Sequence, residues 1–320
     1  MSQDRPFRFG VHTSKANDGD TWASAARRYE DLGFSSLLLR DHFDDQLAPI
    51  AAMTAAACST SRLRVGCLVH DNDYRHPLVL AKELASLDVL SGGRVEVGLG
   101  AGWMAPDYEQ SGIPFDAPAM RVTRLQEGLR VMKGCFADGS FDFEGEHYRI
   151  VGHDALPKPV QHPHPPFLVG GGGRRVLGFA AREADIIALS PRRRSNEEWA
   201  DQNVADATAE ATDAKLAWIR QAAGDRYGRL ELSIVVPFVI VTDERDATAA
   251  TIATGLDTGG AGLEASAGNV LASPYVLIGS VDQLVDTLRE RRERWDLSYV
   301  VVNDDSVDAI APVIEQLSGT

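Results

Sequence analysis

The stretch LRVGCLVHDNDYRHPLVLAKELASLDVLSGGRVEVGLGAG, residues 63–102, decides the fold. An apolar run at 63–69 is followed by polar, turn-forming residues, a helical pattern over 77–90 and a second apolar run at 94–99. Short runs of Val, Ile and Leu alternating with longer helical patterns mark βαβ units around a parallel sheet. A parallel strand is buried on both faces, whereas its crossover helix buries only one stripe. The same alternation extends outward in both directions. Apolar runs recur at 7–11, 35–39, 166–169, 185–189, 232–241 and 299–302, which makes eight strands. Helical patterns fall at 20–32, 48–59, 120–136, 174–182, 196–223, 281–295 and 306–317. Asp20 is placed as an N-cap, Gly33 as a left-handed C-terminal residue, and Ser280 with Gln283 as a capping box.

Eight strands alternating with helices over 320 residues predict a (β/α)8 TIM barrel, with a doubly wound open sheet as the competing α/β architecture. One domain is expected over 1–320, with insertions at about 139–165 and 258–274. The first contains GSFDFEGEHYRIV, a hairpin-like alternation with Glu144 and Gly145 at its turn. The second is rich in Gly, Ala and Ser and reads as a loop or lid.

A formal net charge of −14 argues against nucleic acid or an anionic membrane surface as the main partner, since both need a cationic face. A small anionic ligand remains compatible, because a few backbone amides suffice to hold a phosphate. Cys58, Cys67 and Cys135 form no CxxC pair, so neither a disulfide framework nor a zinc module is expected. The opening MSQDRPFRFGVHTS lacks the apolar core of a signal peptide, and a cytoplasmic setting fits. The longest apolar run, 232–241, is broken by Ser233 and Pro237 and is far short of the ~20 residues of a membrane helix.

Barrel enzymes carry their chemistry at the carboxyl ends of the strands. Those positions hold His12 and Thr13, then Arg40, Asp41 and His42, then His70 and Asp71, then Gly100, Ala101, Gly102 and Trp103. Histidine suits proton transfer near neutral pH, and the adjacent Asp41 is placed to fix the tautomer of His42. The competing role for the pair is a salt bridge or cap at Asp41 and a packed, hydrogen-bonded ring at His42. Gly170, Gly171, Gly172 and Gly173 lie between a strand and a helix, where bare amides could cradle a phosphate with help from Arg174 or Arg175. A tight turn where backbone crowds backbone is the alternative. The cluster at 98–102 is no dinucleotide fingerprint, since Trp103 stands where GxGxxG needs glycine. No metal is expected: His162 and His164 sit before a strand, and neither HExxH nor a first-strand HxH occurs. GxSxG is absent as well, which leaves serine hydrolysis unsupported.

Six ordered motifs carry a family resemblance: RDHF at 40–43, DYRHP at 73–77, LSGGRVEVGLGAGW at 90–103, FEGEHY at 143–148, PKPVQ at 157–161 and PPFLVGGGG at 165–173. VLIGSVDQL at 276–284 adds a seventh. Together they resemble the bacterial-luciferase-like superfamily, and within it the branch that uses the deazaflavin coenzyme F420. The resemblance implies a (β/α)8 barrel with insertions that binds F420, or alternatively FMN, over its strand ends, commonly as a homodimer. It implies ring contact and acid–base work by Asp41 and His42, with His12 a second candidate. It also implies a strand-three bulge at Leu68, Val69 and His70, an approach to the ring edge at Ala101 and Gly102, and phosphate holding by the glycine segment. The chain departs from the family's sugar-phosphate dehydrogenases, holding Asp44, Asp45 and Gln46 where they carry Trp, and Trp103 where they carry Glu. The expected activity is F420-dependent hydride transfer to or from a small organic substrate. An FMN-dependent monooxygenase and a non-catalytic flavin-binding protein are the alternatives.

Overall fold

Branched apolar residues in unbroken runs build strands that are buried end to end, and the helices between them follow from amphipathic spacing. A computed structural model describes residues 5–16, 18–192, 206–258 and 266–320. In chain order the strands and helices begin with β1 (Arg8–His12), α1 (Gly19–Asp31), β2 (Ser36–Leu39), α2 (Pro49–Ser59), β3 (Arg64–Cys67), β4 (His70–Asp71), α3 (Pro77–Ser91) and β5 (Val95–Gly100). There follow α4 (Ala105–Ser111), α5 (Pro118–Phe136), β6 (Phe141–Glu144), β7 (Arg149–His153), β8 (Phe167–Gly171), α6 (Arg174–Glu183), β9 (Ile186–Leu189) and α7 (Ala209–Ala223). The chain closes with β10 (Glu231–Val236), β11 (Phe238–Val241), α8 (Arg245–Thr258), α9 (Ala267–Ala272), β12 (Val276–Gly279), α10 (Val281–Trp295), β13 (Leu297–Asn303) and α11 (Val307–Leu317). The fold is the closed eight-stranded parallel barrel with surrounding helices.

Two compact units make up the chain. The first comprises Met1–His12, Leu32–Phe34 and Gly170–Thr320. Its central strand β13 is buried over its first six residues and pairs in parallel with β1, Phe9 opposite Val300, and with β10, Ile234 opposite Val300. On its other edge β10 pairs with β9. The second unit comprises Thr13–Asp31 and Ser35–Val169. There β2 pairs with β3, β3 with β5 and β5 with β8, all parallel, and β5 is wholly buried.

Several expectations need correction. The run 232–241 is two strands, because Pro237 has no N–H to give a ladder. Beyond it β11 leaves the barrel sheet and pairs in parallel with β12, over a small core of Ala249, Ala253, Val270 and Ile278. Run 63–69 is likewise interrupted, β3 ending at Cys67 and β4 beginning at His70, with a cis peptide between Leu68 and Val69. The cap of α1 is Asp18, whose Oδ1 accepts from Thr21 N at 2.7 Å, two residues before the expected Asp20. Helices α4 and α8 were not anticipated. In the expected helix 196–223, positions 196–205 lie outside the described residues; α7 begins after Thr208, whose hydroxyl accepts from Ala211 N. Of the 258–274 insertion, 259–265 lie outside them too, and the rest contains α9.

The remaining signals form as read: Gly33 has φ 85°, and Ser280 and Gln283 make a reciprocal capping box. Strands β6 and β7 form the antiparallel hairpin, which is tied to α5 by Glu127. That carboxylate accepts from the backbone N–H groups of Glu146 (2.8 Å), His147 (2.9 Å) and Tyr148 (3.2 Å). No helix among the described residues is long and apolar enough to cross a membrane.

Candidate functional site

In the second unit, the fully buried strand β2 delivers Asp41 and His42 at its carboxyl end, and the two side chains part company there. Asp41 is buried and faces Arg75, which donates to both carboxylate oxygens at 2.7 and 3.1 Å. His70 Nδ1 lies 3.6 Å from Asp41 Oδ2, and the backbone N–H of Asp71 donates to the same oxygen at 3.2 Å. Burial pushes the Asp41 carboxyl up, but His70 and Arg75 outweigh it and hold the group well below the usual carboxylate range. Asp41 is therefore a fixed anion rather than a proton carrier.

The tautomer of His42 is set by a residue 65 positions away. His42 Nδ1 lies 2.7 Å from Asp107 Oδ2 on α4, and the Tyr74 hydroxyl donates to that same oxygen at 2.9 Å. A carboxylate can only accept, so Nδ1 carries the hydrogen and Nε2 is left as the basic nitrogen of the ring. The expectation that Asp41 would orient His42 is thus corrected: Asp41 is taken by Arg75, and Asp107 orients the ring. Trp103 meets the His42 ring edge-on at 5.6 Å, and Phe43 stacks on Tyr74 at 4.5 Å. Both of these aromatics remain exposed beside a His42 side chain that is 17% exposed.

His70 is fully buried, and among the described residues its Nε2 has no hydrogen-bond partner. The carbonyl of Ala101 accepts from Arg121 Nε at 3.1 Å. Gly102 adopts φ 73°, and a Cβ there would strike the Tyr108 hydroxyl and lie 2.6 Å from Asp71 Oδ2, so this position requires glycine. Asp71 accepts from Asp73 N at 2.9 Å, and its Oδ2 lies 2.9 Å from the Tyr108 hydroxyl oxygen; burial pushes its carboxyl up to about 7.

In the first unit, His12 is a buried residue at the carboxyl end of β1, opposite Asn303 of β13. Gly170 and Gly171 close β8, and Gly173 is the N-cap of α6 with no side-chain capping bond. The glycines differ in purpose. A Cβ on Gly172 would collide with the carbonyl oxygen of Ser190 and approach Arg192 N to 2.8 Å, so that glycine serves the close backbone approach after β9. Among the described residues nothing lies within 4 Å of a Cβ on Gly173, which stands at a helix N-terminus, the end of a helix whose dipole favours negative charge. Arg174 extends instead to Gln221 Oε1 at 3.3 Å.

Asp107, Tyr74, Arg75 and Tyr108 were given no role by the sequence reading, and Asp71 was placed at a strand end without one. The acidic and aromatic density of DNDYR and of APDYE was the available signal. Among the described residues no group of three His, Cys, Asp or Glu is placed to hold a metal ion.

Comparison with known proteins places these features in a family context. The luciferase-like monooxygenase family matches residues 5–298. An FMNH2-dependent dimethylsulfone monooxygenase of Pseudomonas putida is 29% identical over 187 residues, 55% of this chain and 51% of the relative. An F420-dependent glucose-6-phosphate dehydrogenase of Amycolatopsis mediterranei is 30% identical over 168 residues, half of each chain. This chain thus spans about half the length of either relative. Among solved structures, the coenzyme F420-dependent tetrahydromethanopterin reductase of Methanopyrus kandleri shares the fold, with TM-score 0.77 and 20% identity over 98% of both chains.

Proposed function

Because this chain belongs to the luciferase-like monooxygenase family, we propose that it is a single-domain oxidoreductase that moves a hydride between coenzyme F420 and a small organic substrate. The observation that carries the reading is the His42–Asp107 pair, which leaves one imidazole nitrogen ready for proton transfer at a strand end. The residues fit such a cofactor in two respects: a buried His70 Nε2 at the strand-three break, orphaned among the described residues, and an uncapped helix start at Gly173 with none of them within 4 Å of a Cβ there. F420 would supply the hydride-carrying carbon of its ring. In the second unit, His42 would give or take the matching proton at Nε2, and Asp41 would act as a fixed charge held by Arg75. Leu68, Val69, His70, Ala101 and Gly102 would border the ring, and His12 is the second acid–base candidate. In the first unit, Gly170, Gly171 and Gly173 would offer amides to phosphate, with Gly172 shaping the turn. Exposed Phe43 and Trp103 favour an apolar or aromatic substrate.

The experiment is a fluorescence titration of the purified protein with F420 and, separately, with FMN. Saturable F420 binding is expected, and micromolar FMN binding without any F420 response would remove the F420 reading in favour of an FMN monooxygenase.

The two glycines give an internal control. Gly173→Ala should fold and melt close to the parent, within the ~1 kcal/mol of an altered cap, yet bind the phosphate-bearing cofactor at least several-fold more weakly. Gly172→Ala should lower the melting temperature outright, because backbone oxygen cannot yield to a Cβ. Equal cofactor affinity in Gly173→Ala and the parent would sink the cradle.

A further inference from the structure

A hydrogen count around Tyr108 leads beyond the acid–base pair. The Tyr108 hydroxyl lies 2.9 Å from Asp71 Oδ2 and 3.2 Å from Asp73 Oδ2, yet a phenol has one hydrogen to donate. Both contacts are full two-centre hydrogen bonds when one carboxyl brings a proton of its own and donates it to the phenol oxygen; otherwise two buried carboxylates must share the single phenol hydrogen in a weaker three-centre bond. The surrounding charges decide which carboxyl brings it. Arg124 of α5 faces Asp73 Oδ1 at 2.9 Å, and Arg75 is spent on Asp41. His70 faces Asp41, while Tyr74 and His42 bind Asp107, and Arg121 binds the carbonyl of Ala101. Asp71, buried between Asp41, Asp73 and α4, faces a phenol and a backbone N–H but, among the described residues, no cation.

We propose that Asp71 is the proton-carrying member of an Asp71–Tyr108–Asp73 chain that holds α4 in place and, through Asp107, positions His42. The hydrogen-bond directions then close: Asp71 O–H to Tyr108 O, and Tyr108 O–H to the Asp73 carboxylate. Burial of Asp71 favours its neutral form, in agreement with that count. When Asp71 releases its proton to solvent, two carboxylates are left with one phenol hydrogen, and the pair of full bonds on Tyr108 is lost. Tyr108 and Asp107 are consecutive residues of α4, so the loss reaches the carboxylate that fixes His42 Nδ1. Asp71 is thus a positioning residue. The inference rests on the role given to His42 above but not on the identity of the cofactor.

The test uses the full chain without cofactor. In wild-type protein carrying 13C-labelled aspartate carboxyls, one resonance should titrate above about pH 6 while ordinary carboxylates finish near 4. If every aspartate completes its titration below about pH 5, the proposal is overturned. That measurement stands even if a variant fails to fold. Asp71→Asn supplies a permanent N–H to Tyr108, so the His42 Nδ1 proton signal should persist into alkaline solution, where the wild type loses it. Tyr108→Phe should lose that signal throughout the pH range. A His42 signal in Tyr108→Phe that matches wild type would overturn the positioning role. A failed F420 titration would leave all of these readouts unchanged.

Discussion

His42→Ala should lower turnover by about 10²–10⁴-fold while cofactor affinity changes little, because the ring supplies a proton rather than a binding surface. Asp107→Asn should approach that loss without removing the imidazole. The amide can present an N–H to Nδ1, which favours the opposite tautomer and puts the hydrogen on Nε2. The two variants are compared in single-turnover kinetics with saturating cofactor. A His42→Ala rate equal to that of the parent would take the residue out of the mechanism. A normal rate in Asp107→Asn alone would show that the ring needs no fixed tautomer.

The largest effect on stability is expected at Arg75. Arg75→Met should destabilise the fold by about 3–5 kcal/mol in urea denaturation near neutral pH, because it strips the cation from a carboxylate that stays buried. The side chain of Arg75 is itself 24% exposed, so the lower end, about 3 kcal/mol, is expected. The pH dependence gives a second signature. The folded-state carboxyl of Asp41 is held below its unfolded value, so the stability it contributes is fully present above the unfolded pKa of about 4. That contribution is lost as pH falls through the folded value. In Arg75→Met the depression shrinks, and the difference between variant and parent should narrow on acidification. Parallel curves at all pH values would rule out Asp41 as the partner that matters.

Much of this was legible in the residues. The eight runs and the spacing between them gave the barrel, and the capping box and the Gly33 turn formed as read. The bare β8–α6 junction also sits where four glycines between FLV and RRVL put it. Two features were not legible, each for a physical reason. Seven-residue α4 is too short to show a helical period, so Asp107 carried no mark of its placement beside His42. The side sheet of β11 and β12 was hidden inside one apolar run, since a buried strand and its continuation into another sheet have the same composition. Ser233 and Pro237 were the only breaks in the run, and neither a serine nor a proline reveals where the chain goes next. At the site, Asp41 and His42 were found together as neighbours in sequence, but their working partners lie 34 and 65 positions away, at Arg75 and Asp107.

The hairpin's attachment has an evolutionary corollary. Glu127 grips three successive amides, and amides are present whatever side chains stand at 146, 147 and 148. The tip of the hairpin can therefore drift in sequence, or accept a grafted recognition loop, without coming away from α5. That grip rests on two positions, beside which the Tyr148 side chain adds a tie of its own by accepting from Asn72 Nδ2 at 3.1 Å. Position 127 must keep its carboxylate, and 145 must stay glycine because a Cβ would run into that carboxylate. Sequence variation in the insertion should thus concentrate at the tip and stop abruptly at these two residues.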